Sequence, residues 1–296
     1  MIGPRGRAVG AFVLICSMWS TSGLFVRAMS EADSWQINAL RTGTAGLLLL
    51  LWLLAREGRR LPLRLASVGW RPLLAVFLSY ATSSNLFIYA LQHTTVANTA
   101  CLGATTPFWA ALLAWWRLGE RPSGRTVAAA ALALSGAALM VGEGLALGGA
   151  GWRGDLAALG VAASFAFQIV NLRSYPREQL LPAFALAGLL TGGLVALLRG
   201  GLADLPGRDL LLGLGLGIVQ MGLPTILMVW AARSLVSVEM ALLSLLDTVL
   251  NPIWVFLALG ERPSALGLSG GATILAAVIV AVGRRKPSPD AEREGG

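Results

Sequence analysis

The stretch Gly119-Glu120-Arg121-Pro122-Ser123 returns 141 residues later as Gly260-Glu261-Arg262-Pro263-Ser264. The same offset sets Tyr89-Ala90-Leu91 against Trp230-Ala231-Ala232, and Ala100-Cys101-Leu102 against Ala241-Leu242-Leu243. Nearer the start of each copy, an offset of 146 sets Trp19 and Arg27 against Phe165 and Arg173. The chain is a duplication, so the nature of one unit decides the nature of the whole.

That unit is strongly apolar. The 296 residues are 56% hydrophobic and 13% charged, with a mean hydropathy of +0.71, whereas soluble chains carry roughly 25% charged residues. One core cannot hide so much apolar surface, and the excess must face lipid. A bilayer-spanning helix takes about 20 residues. Hydropathy and helix breakers place spans near 8–28, 35–55, 71–92, 95–118 and 124–142, and again near 154–173, 180–198, 209–232, 236–259 and 265–283. No room is left for a soluble catalytic domain. Each copy holds five spans, and five is odd, so the second copy crosses the membrane in the opposite sense. The reading is an all-α polytopic membrane protein with ten transmembrane helices in two inverted five-helix repeats, an architecture typical of secondary transporters.

The net charge of +8 would suggest a nucleic-acid partner in a soluble chain, but here it follows sidedness. With a cytoplasmic N-terminus, seventeen of the 23 Lys and Arg residues fall on the cytoplasmic side, five fall opposite, and Arg41 lies within a span. Such an imbalance places both termini inside. The apolar run after Arg5 and Arg7 is too long for a cleaved signal segment and reads as a retained first helix. Cys16 and Cys101 lie in apolar stretches without metal-ligand spacing and read as packing residues.

Pro72 and Pro182 stand where helices are expected to begin, which costs least. Pro107, Pro224 and Pro252 stand inside spans, where a freed carbonyl needs a neighbouring helix or a wet cavity. At the offset of 141, Pro107 matches Thr248 and Pro252 matches Ala111. The two halves are therefore expected to kink one helical turn apart.

Arg41, the stretch from Tyr89 through Pro107 to Gly119-Glu120, and the stretch from Trp230 through Asp247 and Pro252 to Gly260-Glu261 resemble the EamA domains of the drug/metabolite transporter superfamily. The resemblance covers nearly the whole chain. It implies one EamA repeat over 1–143, a second over 144–283, and a disordered cytoplasmic tail over 284–296. It also implies alternating access and transport of small organic metabolites, such as amino acids or related compounds, commonly outward. Cargo varies widely within that family, so the resemblance speaks to architecture more than to substrate.

Within this frame Asp247 is the most informative residue, since a carboxylate deep in a span costs several kcal/mol unless it is paired, wet or protonated. Met240, Ser244, Asp247, Asn251 and Trp254 share one helical face. Their repeat partners Thr99, Gly103, Thr106 and Ala110 are small or hydroxylic. The two faces together can line a pocket with one acidic wall; the bland alternative makes Asp247 interhelical glue. Arg41 has two readings of equal weight. Its side chain either snorkels outward toward Glu31 and Asp33, or turns inward to hold a cargo carboxylate or pair with Asp247. Ser164, Gln168 and Asn171 form a second polar stripe, with Asn85, Gln220, Tyr80 and Trp19 as further candidates.

The remaining signals carry less. His93, the one histidine, reads as an interfacial residue rather than a proton relay. Glu120 and Glu261 read as charged helix ends packed on their Arg neighbours, or as gate latches. The glycines of Gly213-Leu214-Gly215-Leu216-Gly217 let helices approach closely and form no phosphate loop. No ATP motif is present, so energy comes from a gradient or from exchange. The sequence implies no cofactor or metal, a small metabolite and the lipid bilayer as partners, no nucleic acid, and a monomer or homodimer in a cell inner membrane. A membrane-embedded enzyme lacks a Ser/His/Asp grouping or metal spacing, and a non-transporting scaffold is the other rival. Sidedness is testable directly. Reporter fusions after Arg64, Arg177 and Arg285 should read cytoplasmic, and fusions after Asp33, Gly149 and Asp204 external; Arg177 external with Arg64 internal would refute the inverted repeat.

Overall fold

The computed structural model describes residues 3–21, 25, 28–29, 31–93, 99, 102–145, 152–198, 202, 204–247, 249–250, 254, 257 and 265–282. Among these the chain is helical, without a strand. The helices are α1 (Pro4–Trp19), α2 (Ser34–Glu57), α3 (Leu61–Ala66), α4 (Trp70–His93), α5 (Thr106–Leu118), α6 (Gly124–Leu145), α7 (Trp152–Ser174), α8 (Arg177–Leu198), α9 (Gly207–Leu216), α10 (Leu223–Ala231), α11 (Ser237–Ser244) and α12 (Ala265–Val282). A π-helical turn, Gly217–Gly222, joins α9 to α10. Five of the described helical stretches are long and apolar enough to cross a membrane, and large apolar side chains such as Trp116, Leu197, Leu211 and Ile279 stand on the outside.

Local chemistry explains several boundaries. Asp33 caps α2 reciprocally with Gln36: its carboxylate accepts the Gln36 amide at 2.7 Å, and its own amide donates to Gln36 Oε1 at 3.0 Å. Gly119 ends α5 in the left-handed region, at φ 69°, which glycine adopts without penalty. Pro107 stands second in α5 rather than inside a continuous helix. Lacking an N–H, it cannot serve the Gly103 carbonyl one turn back; the Thr106 hydroxyl donates to that carbonyl instead, at 2.7 Å. The stretch expected as one helix over 95–118 thus breaks at Ala104–Thr105. In the second half the helix breaks at Leu245, which is Ala104 advanced by 141. The two breaks are repeat equivalents; the kink expected at Pro252, one turn out of step with Pro107, lies outside the described residues. Pro182 also differs from expectation: α8 begins at Arg177 and carries it inside.

Helix pairing respects the duplication. Helix α2 lies on α8 and α6 on α12, joining equivalent members of the two halves. Helix α4 meets α7 as α10 meets α1, and α5 meets α7 as α11 meets α1. At the α2–α8 crossing the mirroring reaches single atoms. A Cβ placed on Gly46 would lie 2.8 Å from the Ala185 carbonyl oxygen, and one on Gly192 would lie 2.8 Å from the Ala39 carbonyl oxygen. Advancing the α2 residue and moving the α8 residue back by 146 converts each pair into the other. Ascending residues on α2 meet descending residues on α8, so the two helices run antiparallel. Trp19 and Phe165, also equivalent at 146, stack edge to face with ring centroids 5.6 Å apart.

The α2–α8 contact is backbone on backbone: a Cβ on Gly46 would sit 2.5 Å from the Leu189 nitrogen, and one on Gly192 2.5 Å from the Gly43 nitrogen. Neither neighbour can yield without moving a helix. Around the Gly193 Cβ position there is nothing within 4 Å. Gly46→Ala or Gly192→Ala should therefore lower stability by about 1–3 kcal/mol, the usual penalty for overpacking, while Gly193→Ala is neutral or mildly stabilising. Thermal unfolding of detergent-purified variants checks this; equal midpoints for all three would remove the tight contact.

Candidate functional site

Among the described residues, one guanidinium is buried in the interior of the bundle. Arg41, on the second turn of α2, is 7% exposed, so it turns inward and does not reach Glu31 or Asp33. Asp33 is engaged in its cap, and the Glu31 and Ala32 amides donate to Asp209, the buried carboxylate at the start of α9. The Arg41 partners are neutral. Nη1 donates to Gln220 Oε1 at 3.3 Å, and Nη2 donates to Asn38 Oδ1 at 3.1 Å and to Ser84 Oγ at 3.0 Å. Its Nε is buried without a hydrogen-bond partner, and the Phe87 ring lies 6.0 Å away.

Each partner is oriented in turn. The Ser84 hydroxyl donates to Asn38 Oδ1, Asn38 Nδ2 donates to Asn85 Oδ1 at 3.2 Å, and Asn85 Nδ2 donates to the Ala81 carbonyl at 2.8 Å. Gln220 Nε2 reaches the Trp19 carbonyl at 3.4 Å. Gln220 sits in the π turn, an irregularity frequent at functional sites. Helices α2 and α4 and the π turn thus converge on one cation, and α1 joins them through Gln220. Three of its five N–H donors are used, and no carboxylate is among those partners.

The last turn of α1 links this cage to the second-half break. The Cys16 thiol donates to the Leu243 carbonyl at 3.3 Å, one turn before Asp247. The Ser20 hydroxyl accepts from Trp254 Nε1 at 2.7 Å. Asp247 follows the break at Leu245 by two residues, and its Oδ1 is buried without a hydrogen-bond partner. The structure does not pair it with Arg41. Each keeps one buried atom without a hydrogen-bond partner, Arg41 Nε and Asp247 Oδ1.

The other sequence candidates distribute around these points. Met240 is fully buried in the core, and Ser244 spends its hydroxyl on the Ala241 carbonyl. Thr99 and Thr106 are buried, Thr106 serving the Gly103 carbonyl. Tyr80 is buried edge to face with Phe184, ring centroids 6.1 Å apart. Gln168 is buried on α7, whereas Ser164 bonds its own helix at Gly160. Asn171 is drawn to the far end of the bundle by Arg117, so the stripe expected on α7 divides. Asn251, Pro252, Cys101, Arg27, the second Gly-Glu-Arg-Pro-Ser segment and the tail lie outside the described residues. Asn38 and Ser84 were not singled out by sequence. Their signal was present: Asn38 is three residues before Arg41 on the same face, and Ser84 belongs to the polar run Thr82-Ser83-Ser84-Asn85 in the middle of a span.

At the arginine-rich end, ion pairs and hydrogen bonds tie the halves together. Glu120 of the first pentapeptide pairs with Arg173 on α7 at 2.7 Å, not with its neighbour Arg121, and Arg173 Nη1 donates to the Leu235 carbonyl at 2.6 Å. Arg5 pairs with Glu239 on α11 at 2.9 Å. Arg117 donates to Asn171 Oδ1 at 3.1 Å and to the Tyr175 hydroxyl at 2.6 Å. His93 is exposed and stacks on Tyr89, with ring centroids 3.9 Å apart, as an interfacial residue would.

Comparison with known proteins fits this description. The family model described as "EamA-like transporter family" matches residues 6–142 and again residues 152–283. No curated protein matches the chain. A solved structure, described only as "Crystal structure of protein", shares 21% identity with a TM-score of 0.77, over 98% of this chain and 99% of that one. At that identity the likeness speaks for the fold alone.

Proposed function

The chain belongs to the EamA-like transporter family, and from that membership we propose that it is a secondary active transporter of a small organic metabolite bearing an anionic group. The observation that carries this reading is Arg41: a buried cation surrounded by neutral acceptors, with a buried Nε that nothing satisfies. A charge kept in an apolar interior is costly unless it is compensated. A cargo carboxylate or similar anion supplies the missing charge when bound, and the planar guanidinium offers it a fork that an ammonium cannot.

Alternating access follows from the way the halves are joined. Ten spans in two inverted repeats, with both termini in the cytoplasm of an inner-membrane protein, give two equivalent gates. The helix breaks at Ala104–Thr105 and Leu245 are the hinges, as in carriers whose discontinuous helices hold the site. The Glu120–Arg173 and Arg5–Glu239 pairs close the arginine-rich end, and they part when the halves rock. The cargo belongs among amino acids or related metabolites, and movement is outward, driven by a gradient or by exchange. Asp247 either couples a proton to this cycle or receives a cationic group on the cargo; its enclosed, unpartnered Oδ1 favours one of these roles over interhelical glue.

The test begins with metabolites that differ between deletion and overexpressing cells, followed by labelled uptake into liposomes holding pure protein. Arg41→Lys should reduce transport at least about tenfold, a loss on the order of 1.4 kcal/mol, although the charge is kept. With Asp247→Asn, loss of gradient-driven accumulation with exchange intact identifies proton coupling, and loss of both identifies cargo contact. Wild-type transport in Arg41→Lys and Arg41→Ala would remove the anion site. Absence of transport for every candidate would favour a scaffold.

A further inference from the structure

Away from Arg41, at the arginine-rich end of the bundle, a cavity of about 720 Å³ opens between α2, α8 and α10. Its two parts differ chemically. Arg56, Arg64 and Arg233 stand at the rim with one acid, Glu57, so the rim carries an excess of two positive charges. The floor and walls are apolar: Leu53 from α2, Leu181 and Pro182 from α8, and Ile226, Leu227 and Val229 from α10. Trp52 and Trp230 flank it, with the Arg56 guanidinium 4.8 Å from the Trp52 ring.

Two features show that Arg64 is not fully spent within the protein. Arg64 Nε is buried without a hydrogen-bond partner. The carboxylate paired with it, Glu57 Oε1, is 3.9 Å from that Nε, beyond hydrogen-bond reach. The position is equally informative. The cavity sits where α2 and α10 end and α8 begins, as a site near a bilayer interface would for helices of spanning length, and Leu51, Leu54 and Leu223 on α2 and α10 are exposed. Tryptophans at that level are typical of membrane interfaces.

We infer that this cavity holds the headgroup of an anionic phospholipid from the arginine-rich side of the bilayer, its phosphodiester among Arg56, Arg64 and Arg233 and its acyl chains along the α8 and α10 wall. A soluble phosphate would satisfy the arginines and leave the apolar wall without a partner; a zwitterionic lipid would bring its own cation against the rim. Basic pockets between helices on the cytoplasmic side select anionic headgroups for this reason. The site shares no residue with the Arg41 cage and does not depend on the transport reading.

The experiment is lipid titration of the full chain in a neutral detergent, followed by native mass spectrometry. Phosphatidylglycerol should remain bound at concentrations where phosphatidylcholine does not. The triple variant R56Q/R64Q/R233Q should lose at least about tenfold in apparent affinity, and Arg64→Gln alone roughly fivefold; the single variant decides the matter if the triple fails to fold. Replacing the exposed Arg7, Arg71 and Arg121 by Gln should leave binding unchanged. Inorganic phosphate at millimolar concentration should not displace the lipid. Equal retention of the two lipids, unchanged binding in the Arg64→Gln variant, an equal loss in the exposed-arginine variant, or displacement by inorganic phosphate would each overturn the assignment.

Discussion

Where α2 crosses α8, two backbones touch with no side chain between them, and the placement of everything polar in the interior depends on that contact. Lipid gives apolar helices no hydrophobic reason to associate, so close approach of small residues must hold them together. Gly43 and Gly46 on one helix and Gly188 and Gly192 on the other provide it. The contact brackets Arg41. The Thr42 carbonyl lies against Gly188, and the Arg41 carbonyl lies 2.8 Å from where a Cβ on Gly217 would stand. Arg41 is therefore clamped between α8 and the π turn, and its side chain has only the interior to enter.

Once inside, the guanidinium imposes an order on its surroundings. Asn38, Ser84, Asn85 and Gln220 each give or accept in one direction, and Trp19 closes the chain of bonds through its carbonyl. Neutral partners satisfy hydrogen bonds without neutralising charge. A carboxylate in their place would give a buried salt bridge, which is costly to break. The neutral cage leaves the charge of Arg41 uncompensated by these partners. In the broken helices a hydroxyl that satisfies a stray carbonyl, as Thr106 does for Gly103, permits a bend without exposing backbone to lipid.

Much of this was legible in the sequence. Repeat offsets of 141 and 146, read from a pentapeptide and from Trp19 with Phe165, reappear in three dimensions as equivalent helix breaks and mirrored glycine contacts. Helix ends were less legible, because prolines alone do not say which hydroxyl takes over a freed carbonyl: the breaks at Ala104–Thr105 and Leu245 were not read from the sequence. The direction of Arg41 was undecidable for a deeper reason. Snorkelling and burial differ only in what lies opposite, and Gln220 is 179 positions away in the chain. Asn171 shows the converse: its spacing from Gln168 suggested one stripe, but Arg117 on another helix engages it at the arginine-rich end.

Transport by way of Arg41 requires that its cage line a path that water and anions can enter. Thiol modification tests this without knowledge of the cargo. In a background with both cysteines, Cys16 and Cys101, replaced by alanine, Ser84→Cys should react with an anionic methanethiosulfonate sulfonate reagent. The rate should fall roughly tenfold when Arg41 is changed to Gln, since focused charge in a low-dielectric cleft raises the encounter rate by that order or more. A cationic reagent should show no such dependence. Ser84→Cys that resists both charged reagents and yields only to a membrane-permeant maleimide would mean that the cage is sealed structure, and would contradict a role for Arg41 in receiving cargo.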